Sequence, residues 1–346
     1  MTNSCTYVIL LNWNGWKDTI ACLESLFHSS GAAMRVVVCD NNSSDDSLSK
    51  ISAWARGYCP VELPDDERLR DFMGSVNLPV KFAMLSATDV NAGRITDNGE
   101  PLVLIDNENN GGFAAGNNVG LRYALDQDDM SHVWILNNDT VVDPGCLSSM
   151  LRRLQQEETS KVCGSIIHFY DNPTIIQAIG GSCFNTRTGV ASQTEGRFRP
   201  ENDLADCYLI EQKIDYLSGC SMLIPRDVLE RVGLLNEDYF LYYEEIDWFT
   251  RAGKFSQPCI AVDAHVYHRE GGSIGSPSWR ETKPSLLADF HIFRSKHLFM
   301  QQYYRENMLW CYANSWLEVG KRIARGQFRN AFVVLSVLFG ATRLRP

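Results

Sequence analysis

WILNNDTVVDP, residues 134–144, decides the fold of this chain, because the apolar run 133–136 passes directly into the polar residues NNDT. Such a run is typical of a buried strand, and open α/β sheets bind ligands at the C-terminal ends of their strands. Mg²⁺ is usually held by one or two carboxylates together with substrate phosphates. We therefore predict that Asp139 is a metal ligand for a diphosphate-bearing substrate. From this stretch alone, an ordinary strand-end turn is an equal alternative.

Other apolar runs of the same kind lie on both sides of this stretch. Residues 7–11, 35–39 and 102–105 each end in a polar loop, and segments with helical spacing follow them. Continuous rather than alternating apolar runs indicate a parallel sheet that is covered on both faces. The sequence therefore predicts an α/β, Rossmann-like fold with a mostly parallel sheet flanked by helices.

The chain divides by its pattern into two parts. Residues 1–279 form the predicted α/β domain, within which residues 57–100 break the rhythm and are interpreted as a partly irregular insertion. Residues 280–346 are predicted to be a helical segment. From Arg280 onward, 11 Lys and Arg residues stand against 4 Asp and Glu, although the whole chain has a net charge of −10. An acidic body argues against nucleic acid as a partner, and a basic C-terminal segment favours an anionic surface such as a membrane.

The 11 cysteines are scattered and form no C-x-x-C pair, so a zinc site or a thioredoxin-like motif has no support. Neither a signal peptide nor an apolar run long enough to span a membrane is found. We expect free thiols in the reducing environment of the cytoplasm.

Polar residues at the predicted strand ends are candidates for a nucleotide site, because successive strand ends of a parallel sheet lie side by side. Asp40 can accept hydrogen bonds from a ribose or a base edge, and Asn117 lies near a helix N-terminus, where anions bind. The glycine-rich loop GGFAAGNN, residues 111–118, fits neither the Walker nor the dinucleotide spacing and is expected to permit close backbone approach. The alternative for Asp40 and Asn42 is that they shape a turn and cap the next helix. The predicted nucleotide-binding residues are Asn12, Asp40, Asn42, Gly112, Asn117, Asn137 and Asn138.

An acidic–aromatic cluster, residues 239–248, holds Glu244, Glu245 and Asp247. Crowded, partly buried carboxylates have raised pKa values, which suits a general base. The alternative is a helix N-terminus that is merely enriched in acids.

Two histidines farther along the chain are candidate metal ligands. His268, which lies shortly before a Gly-Gly pair, is the better candidate, whereas His265 is interpreted as structural.

Six segments, taken in order, resemble the inverting family-2 glycosyltransferases of the GT-A fold, in particular the bacterial rhamnosyltransferase-like branch. They are VILLNWNG (8–15), VVVCDNNSSDDS (36–47), NNGGFAAGNNVGL (109–121), WILNNDTVVDPG (134–145), YLSGCSMLIPRDVLERVGLLNEDYFLYYEEIDWFTRAG (216–253) and VDAHVYHREGGS (262–273). The stretch RSKHLFMQQYYREN, residues 294–307, resembles the C-terminal helix of this branch. The resemblance makes residues 1–279 the GT-A catalytic domain.

The same resemblance implies roles for individual residues. Asp40 matches the nucleoside-binding Asp, and Asp139 matches the metal-binding carboxylate of the D-x-D position, whose first acid is Asn137 here. His268 matches a metal-ligating histidine, with Mg²⁺ or Mn²⁺ as the ion. Glu245 takes the place of the catalytic base, which is an Asp in the family, and Glu244 is the second candidate.

The implied reaction moves a sugar, with inversion, from dTDP-rhamnose to a glycan or lipid-linked acceptor in bacterial polysaccharide synthesis. A UDP-hexose or UDP-galactofuranose donor is the alternative within this class. Two alternatives belong to other functional classes: a nucleotidyltransferase, and a non-catalytic relic that binds a nucleotide or a glycan. The C-terminal helices fit peripheral contact with the inner face of the cell membrane, but packing on the catalytic domain or on a second subunit is an equal alternative.

Overall fold

A mostly parallel central sheet organises the computed structural model, which describes residues 4–74, 76–193, 197–201, 207–269 and 283–342. The strands are β1 (Cys5–Asn12), β2 (Met34–Asp40), β3 (Phe82–Ser86), β4 (Leu102–Asp106), β5 (Met130–Asn137), β6 (Thr140–Val142), β7 (Lys161–Phe169), β8 (Asn172–Ile179), β9 (Gly181–Asn185), β10 (Val190–Gln193), β11 (Tyr216–Leu217), β12 (Ser221–Pro225) and β13 (Gln257–His268). The helices are α1 (Trp16–His28), α2 (Ser47–Ala55), α3 (Glu67–Met73), α4 (Ala87–Asn91), α5 (Gly112–Leu125), α6 (Cys146–Gln155), α7 (Cys207–Glu211), α8 (Arg226–Val232), α9 (Glu244–Ala252), α10 (Leu286–Tyr303), α11 (Met308–Ala324) and α12 (Phe328–Leu338).

The strand order of the central sheet is β3-β4-β2-β1-β5-β12-β7-β13-β6, with β8 added to β7. The first five strands run parallel, whereas β12 is antiparallel to both β5 and β7. Strands β10, β9 and β11 form a separate small sheet. The order reverses beside β1, which lies between β2 and β5, so a ligand crevice is expected outside the carboxyl ends of β1 and β5.

Both faces of the sheet are covered, as the continuous apolar runs predicted. In β2, Val36 and Val38 belong to one hydrophobic cluster, and Val37 and Cys39 belong to the cluster on the opposite face. Helix α5 packs especially close to the sheet, because a Cβ atom at Gly120 would lie 2.7 Å from the Ile9 side chain. The predicted α/β class with a mostly parallel, helix-flanked sheet is confirmed.

Residues 57–100, interpreted from the sequence as an insertion, contain α3, β3 and α4. Strand β3 pairs in parallel with β4 and extends the edge of the central sheet. Its residues are mostly half-exposed, as suits an edge strand, and only Leu85 of the five is buried. Residues 82–85 do form a short apolar run, but the Pro- and Gly-punctuated polar stretch around them concealed this strand in the sequence.

The C-terminal helices α10, α11 and α12 pack on one another and on the α/β part. Phe293, Val319 and Val334 lie in one cluster, and Phe299 of α10 joins a second cluster with Tyr239. The predicted division of the chain at 279/280 lies outside the described residues. Among the helices that the structure describes, none is long and apolar enough to cross a bilayer.

A buried ionic network holds the three C-terminal helices together. Asp289 of α10 accepts hydrogen bonds at 2.6 and 3.0 Å from the Arg322 guanidinium of α11, and at 2.8 Å from the Asn330 amide of α12. Asp289 is fully buried and Arg322 nearly so. Breaking such a buried pair by removing one partner costs about 3–5 kcal/mol. Arg322 keeps a second ion pair, to Glu318 Oε2 at 2.9 Å, so the lower end of this range applies here.

We predict that Asp289→Ala lowers the free energy of unfolding by about 3 kcal/mol or more, measured by chemical denaturation. The matched control is Glu62→Ala, which breaks the exposed ion pair with Lys17 and is expected to cost at most about 1 kcal/mol. Equal effects of the two substitutions would contradict a structural role for the buried network.

Candidate active site

A cavity of about 1040 Å³ opens at the carboxyl ends of the central strands. Its wall combines the turn after β5, the glycine-rich loop, the segment before α9, the end of β13 and part of α10. Seven predicted site residues line it: Gly112, Asn137, Asn138, Asp139, Glu244, Glu245 and His268. The sheet topology therefore brings the predicted metal ligands and the predicted base to one cavity.

Asp139 and His268 face each other across this cavity. Asp139 lies in the turn between β5 and β6, and His268 ends β13, which pairs with β6. Asp139 Oδ1 lies 3.2 Å from His268 Nε2. His268 Nδ1 donates to Gln177 Oε1 at 3.2 Å, which orients the ring so that Nε2 points toward the carboxylate. The Asn137 amide nitrogen lies 3.1 Å from the same Nε2.

The space between Asp139 and His268 suits a cation. Burial by itself lowers the pKa of His268, but the neighbouring Cys220 sulfur and Asp139 carboxylate raise it, and the net pKa lies well above the ordinary histidine value. Apart from this ion pair, the buried Asp139 Oδ1 has no hydrogen-bond partner among the described residues. A divalent metal in this position would replace the imidazole proton, because a histidine ligand must be neutral.

The donor set at this position is small. Within the described residues no group of three or more His, Cys, Asp or Glu side chains is arranged to hold a metal ion. A carboxylate and one imidazole suit an ion that keeps water and substrate phosphates as its other ligands, as Mg²⁺ does. The Gly-Gly pair after His268, at residues 271–272, lies outside the described residues.

Asn12, Asp40 and Asn138 form a hydrogen-bond network behind the cavity wall. Asp40 accepts hydrogen bonds from Asn12 Nδ2 at 2.6 Å, from the Ser43 amide at 3.0 Å and from Ser43 Oγ at 2.7 Å. Asn138 Nδ2 donates to Asn12 Oδ1 at 3.3 Å and to Thr19 Oγ1 at 2.8 Å. These bonds join the ends of β1, β2 and β5. Of the three, only Asn138 reaches the cavity lining.

Asn42 and Asn117 lie away from the cavity lining. Asn42 is exposed and has a φ of 59°, a left-handed conformation that suits the turn-shaping alternative. Asn117 is buried, and its Nδ2 donates to Phe113 O at 2.9 Å. Asn41 was not predicted as a site residue, but it lines the cavity, and its Nδ2 donates to Gly112 O at 3.2 Å. Its place directly after the second strand was a signal that could have identified it.

Gly112 permits a close approach within the protein itself. Its φ is +87°, and a Cβ atom there would lie 2.1 Å from Phe240 O. The next residue, Phe113, donates its amide proton to the same oxygen at 2.8 Å. The glycine-rich loop is thus attached to the acidic–aromatic segment, and both reach the cavity together.

Two left-handed residues precede helix α9. Tyr242 has a φ of 64° and Tyr243 a φ of 76°, and neither is a glycine. A bulky residue in this conformation costs about 1–3 kcal/mol and persists only where the surroundings enforce it. Tyr243 is held by its hydroxyl, which donates to Gly189 O. The turn that results starts α9 at the cavity wall, with Glu244 and Glu245 in its first turn.

The three acids of the cluster have different surroundings. Asp247 is fully buried and accepts hydrogen bonds from Arg251 Nε at 2.7 Å and from the Tyr303 hydroxyl at 2.9 Å, so its role is structural. Glu245 is half-buried and accepts the Gly219 amide proton at 3.0 Å. Glu244 is buried, and its Oε2 has no hydrogen-bond partner among the described residues.

Burial raises the pKa of both glutamates. The pKa of Glu244 lies well above its ordinary value, first because of burial and then because of the charge of Glu245. Burial likewise raises the pKa of Glu245, although the hydrogen bond that Glu245 accepts from the Gly219 amide acts to lower this pKa. Both glutamates line the cavity, but Glu244 is buried and Glu245 is only half-buried, so Glu244 is the better suited of the two to remain protonated.

Helix α10 supplies a cavity wall that the sequence analysis did not predict. His291 stacks on Phe240 with ring centroids 4.7 Å apart, and burial lowers the pKa of His291 to about 4. Arg294, one turn later, also lines the cavity. No local pattern distinguishes these residues, because their position follows from long-range packing of α10. His265 contacts His168 at 2.9 Å and does not line the cavity, consistent with a structural role.

Residues 87–233 match the family model described as Glycosyl transferase family 2. The chain is 24% identical over 207 residues to a low-salt glycan biosynthesis hexosyltransferase, Agl10, of Haloferax volcanii, covering 59% of this chain and 64% of that protein. It is 26% identical over 151 residues to an N-acetylglucosaminyl-diphospho-decaprenol L-rhamnosyltransferase of Mycobacterium tuberculosis, covering 41% and 48%. The chain thus spans less than two thirds of either relative.

Two solved structures share the overall fold. A mannosyltransferase of Pyrobaculum calidifontis, PcManGT, in complex with GDP-Man and Mn²⁺ has a TM-score of 0.51 at 15% identity, covering 98% of this chain and 76% of that one. GalNAc-T7 with UDP, GalNAc and Mn²⁺ has a TM-score of 0.54 at 13% identity, covering 90% and 50%. The predicted GT-A fold with C-terminal helices is confirmed.

We predict that Glu244→Gln stabilises the protein at pH 8, because the folded state holds Glu244 with a raised pKa and must ionise a buried carboxyl as pH rises. The stability that the protonated carboxyl contributes is fully present below the ordinary glutamate pKa of about 4.3. It is lost progressively as the pH rises from there through the raised pKa of the folded state. Thermal unfolding should therefore show a higher midpoint for the variant at pH 8 and a smaller difference near pH 4.5. An equal difference at both pH values would contradict the assignment.

Proposed function

We propose that this chain, which belongs to glycosyl transferase family 2, transfers a sugar from a nucleoside diphosphate donor to a hydroxyl group of a glycan or lipid-linked acceptor. The observation that carries the proposal is the convergence of the Asp139–His268 pair and Glu245 on one cavity. The pair suits a cation beside a diphosphate, and the glutamate suits a base. A base that activates the acceptor hydroxyl and a cation that stabilises the leaving diphosphate together accelerate inverting sugar transfer.

The proposed chemistry is an in-line displacement at the anomeric carbon. Glu245 accepts the proton of the acceptor hydroxyl, whose oxygen forms the new bond to that carbon as the bond to the diphosphate oxygen breaks. Attack opposite the leaving group inverts the configuration. The Gly219 amide fixes one oxygen of Glu245 at 3.0 Å, which holds the carboxylate in place before the acceptor arrives.

Asp139 and His268 are the residues that would hold the divalent cation, with Asn137 beside them. Bound there, Mg²⁺ or Mn²⁺ supplies positive charge that stabilises the departing diphosphate. The Mn²⁺ in the complexes of the mannosyltransferase and of GalNAc-T7 supports this proposal. The hydrogen bonds among Asn12, Asp40 and Asn138 hold polar groups in place next to the part of the cavity where we propose that the nucleoside binds.

For the donor we favour dTDP-rhamnose, with a UDP-hexose or UDP-galactofuranose as the alternative. The Mycobacterium tuberculosis relative, a rhamnosyltransferase named for a diphospho-decaprenol acceptor, supports the first and suggests a lipid-linked acceptor. The Haloferax volcanii hexosyltransferase supports the wider class. A nucleotidyltransferase is less favoured, because the loop at residues 111–118 carries no basic residue for a triphosphate. Free cysteines support a cytoplasmic location for the reaction.

We expect Glu245→Gln to lower kcat about 10²–10⁴-fold while nucleotide binding stays unchanged, because the amide keeps the shape but cannot accept a proton. In the native enzyme, activity should fall as pH drops through the raised pKa of Glu245, at a higher pH than for an ordinary glutamate. Steady-state kinetics and nucleotide titration check both. The control is Glu62→Gln on the exposed surface, which should leave kcat unchanged. Near-normal turnover in Glu245→Gln would remove Glu245 from the mechanism.

We expect Asp139→Asn to abolish the strengthening of nucleoside diphosphate binding by Mn²⁺, because the amide cannot neutralise the ion. Isothermal titration with dTDP and UDP, each with and without Mn²⁺, measures this difference. If Mn²⁺ strengthened binding to the variant as much as to the native chain, the ion would have to lie elsewhere.

A further inference from the structure

Helices α11 and α12 present an uncovered apolar face. In α11 it includes Leu309, Trp316 and Leu317. In α12 it includes Phe328 and Phe332, and Phe339 directly follows that helix; all six side chains are exposed. Phe332 and Phe339 are 72% and 79% exposed. These six residues, termed here the α11–α12 face, recur at helical spacing along one side of each helix.

The opposite sides of the same helices are buried. Val319 of α11 and Val334 of α12 pack with Phe290 and Phe293 of α10. One side of α12 therefore packs on the rest of the chain, as the alternative interpretation of this helix expected. This packing does not account for the apolar residues on its exposed side. The exposed sides of the two helices meet where the Trp316 and Phe339 rings lie 6.3 Å apart. A large exposed apolar surface marks an interaction site.

Elsewhere in the described residues, large exposed apolar side chains are scattered along the sequence. Examples are Tyr58 and Leu63 in the loop between α2 and α3, Met84 in β3 and Val262 in β13. Single exposed apolar residues are normal and need no partner. The concentration in residues 309–339 is what distinguishes the α11–α12 face.

Basic residues accompany the α11–α12 face. Lys321, Arg325 and Arg329 are exposed at the end of α11, in the turn and at the start of α12, next to Phe328. Arg322, in contrast, points inward to Asp289. The chain as a whole carries a net charge of −10, so this positive edge differs in sign from the rest of the molecule.

We propose that the α11–α12 face binds the surface of an anionic lipid bilayer. Aromatic and aliphatic side chains enter the boundary between headgroups and acyl chains, while Lys321, Arg325 and Arg329 contact the anionic headgroups. A second copy of this chain fits less well. A two-fold symmetric interface brings the same patch of both subunits together, which would place both sets of the three basic residues in one interface.

The position of this face suits a lipid-linked acceptor. Thr342 lines the cavity and follows Phe339 by three residues, so the end of α12 connects the apolar face with the active site. A bilayer against the face would bring the sugar-bearing headgroup of a lipid acceptor near that end of the cavity. This last step rests on the proposed function, whereas bilayer binding does not.

Flotation of the full chain with vesicles tests the proposal. The native chain should float with vesicles of phosphatidylcholine and phosphatidylglycerol, float poorly with phosphatidylcholine alone, and be released by salt. Replacing both Phe328 and Phe332 by Ser should weaken binding at least about tenfold. Replacing Arg325 and Arg329 by Gln should weaken it about fivefold per residue on the anionic vesicles only.

The matched control replaces the exposed residues Tyr58 and Leu63 by Ser, and it should float like the native chain. Circular dichroism confirms that each variant is folded. No flotation of the native chain, or equal flotation of the Phe328/Phe332 variant, would overturn the proposal. So would a dimer in sedimentation that the same variant dissociates. Because flotation needs neither donor nor acceptor, its outcome is independent of whether sugar transfer is observed.

Discussion

The contact between Asp139 and His268 is the interaction on which the rest of the site depends. It joins the end of β5 to the end of β13, two strands that are separated in the sheet by β12 and β7. Gln177 of β8 sets the orientation of the imidazole from behind. A buried carboxylate with an otherwise unpartnered oxygen needs positive charge nearby, and the cavity leaves room for it on the side where a diphosphate would lie.

Opposing electrostatic effects then distinguish the acids on α9. The helix N-terminus favours negative charge, by a few tenths to about 1 kcal/mol per residue, but burial opposes it more strongly for Glu244 and Glu245. Asp247 escapes this conflict because Arg251 and Tyr303 satisfy its oxygens. The strained turn at Tyr242 and Tyr243 is what brings Glu244 and Glu245 to the cavity. Strain is thus concentrated where the chemistry is proposed to occur.

Much of the central fold could be predicted from the sequence, because strands that are buried on both faces leave continuous apolar runs. The runs of β1, β2, β4 and β5 were all identified in this way, and the polar residues that follow them pointed to the correct edge of the sheet. Strand β3 was missed although residues 82–85 are apolar, because this short run lies within a polar stretch that was interpreted as an irregular insertion.

The site was predictable only in part. Asp139, Glu245 and His268 stand in distinctive local patterns, and they do line one cavity. Gln177 and Arg294 reach the site through long-range packing, which no local sequence pattern indicates.

Mass spectrometry of reactions with a panel of dTDP-rhamnose, UDP-hexoses and UDP-galactofuranose tests the central claim most directly. The account predicts, with one of these donors, release of a nucleoside diphosphate and a gain of one sugar mass on the acceptor. Pyrophosphate release, or binding of the donors without turnover, would contradict it.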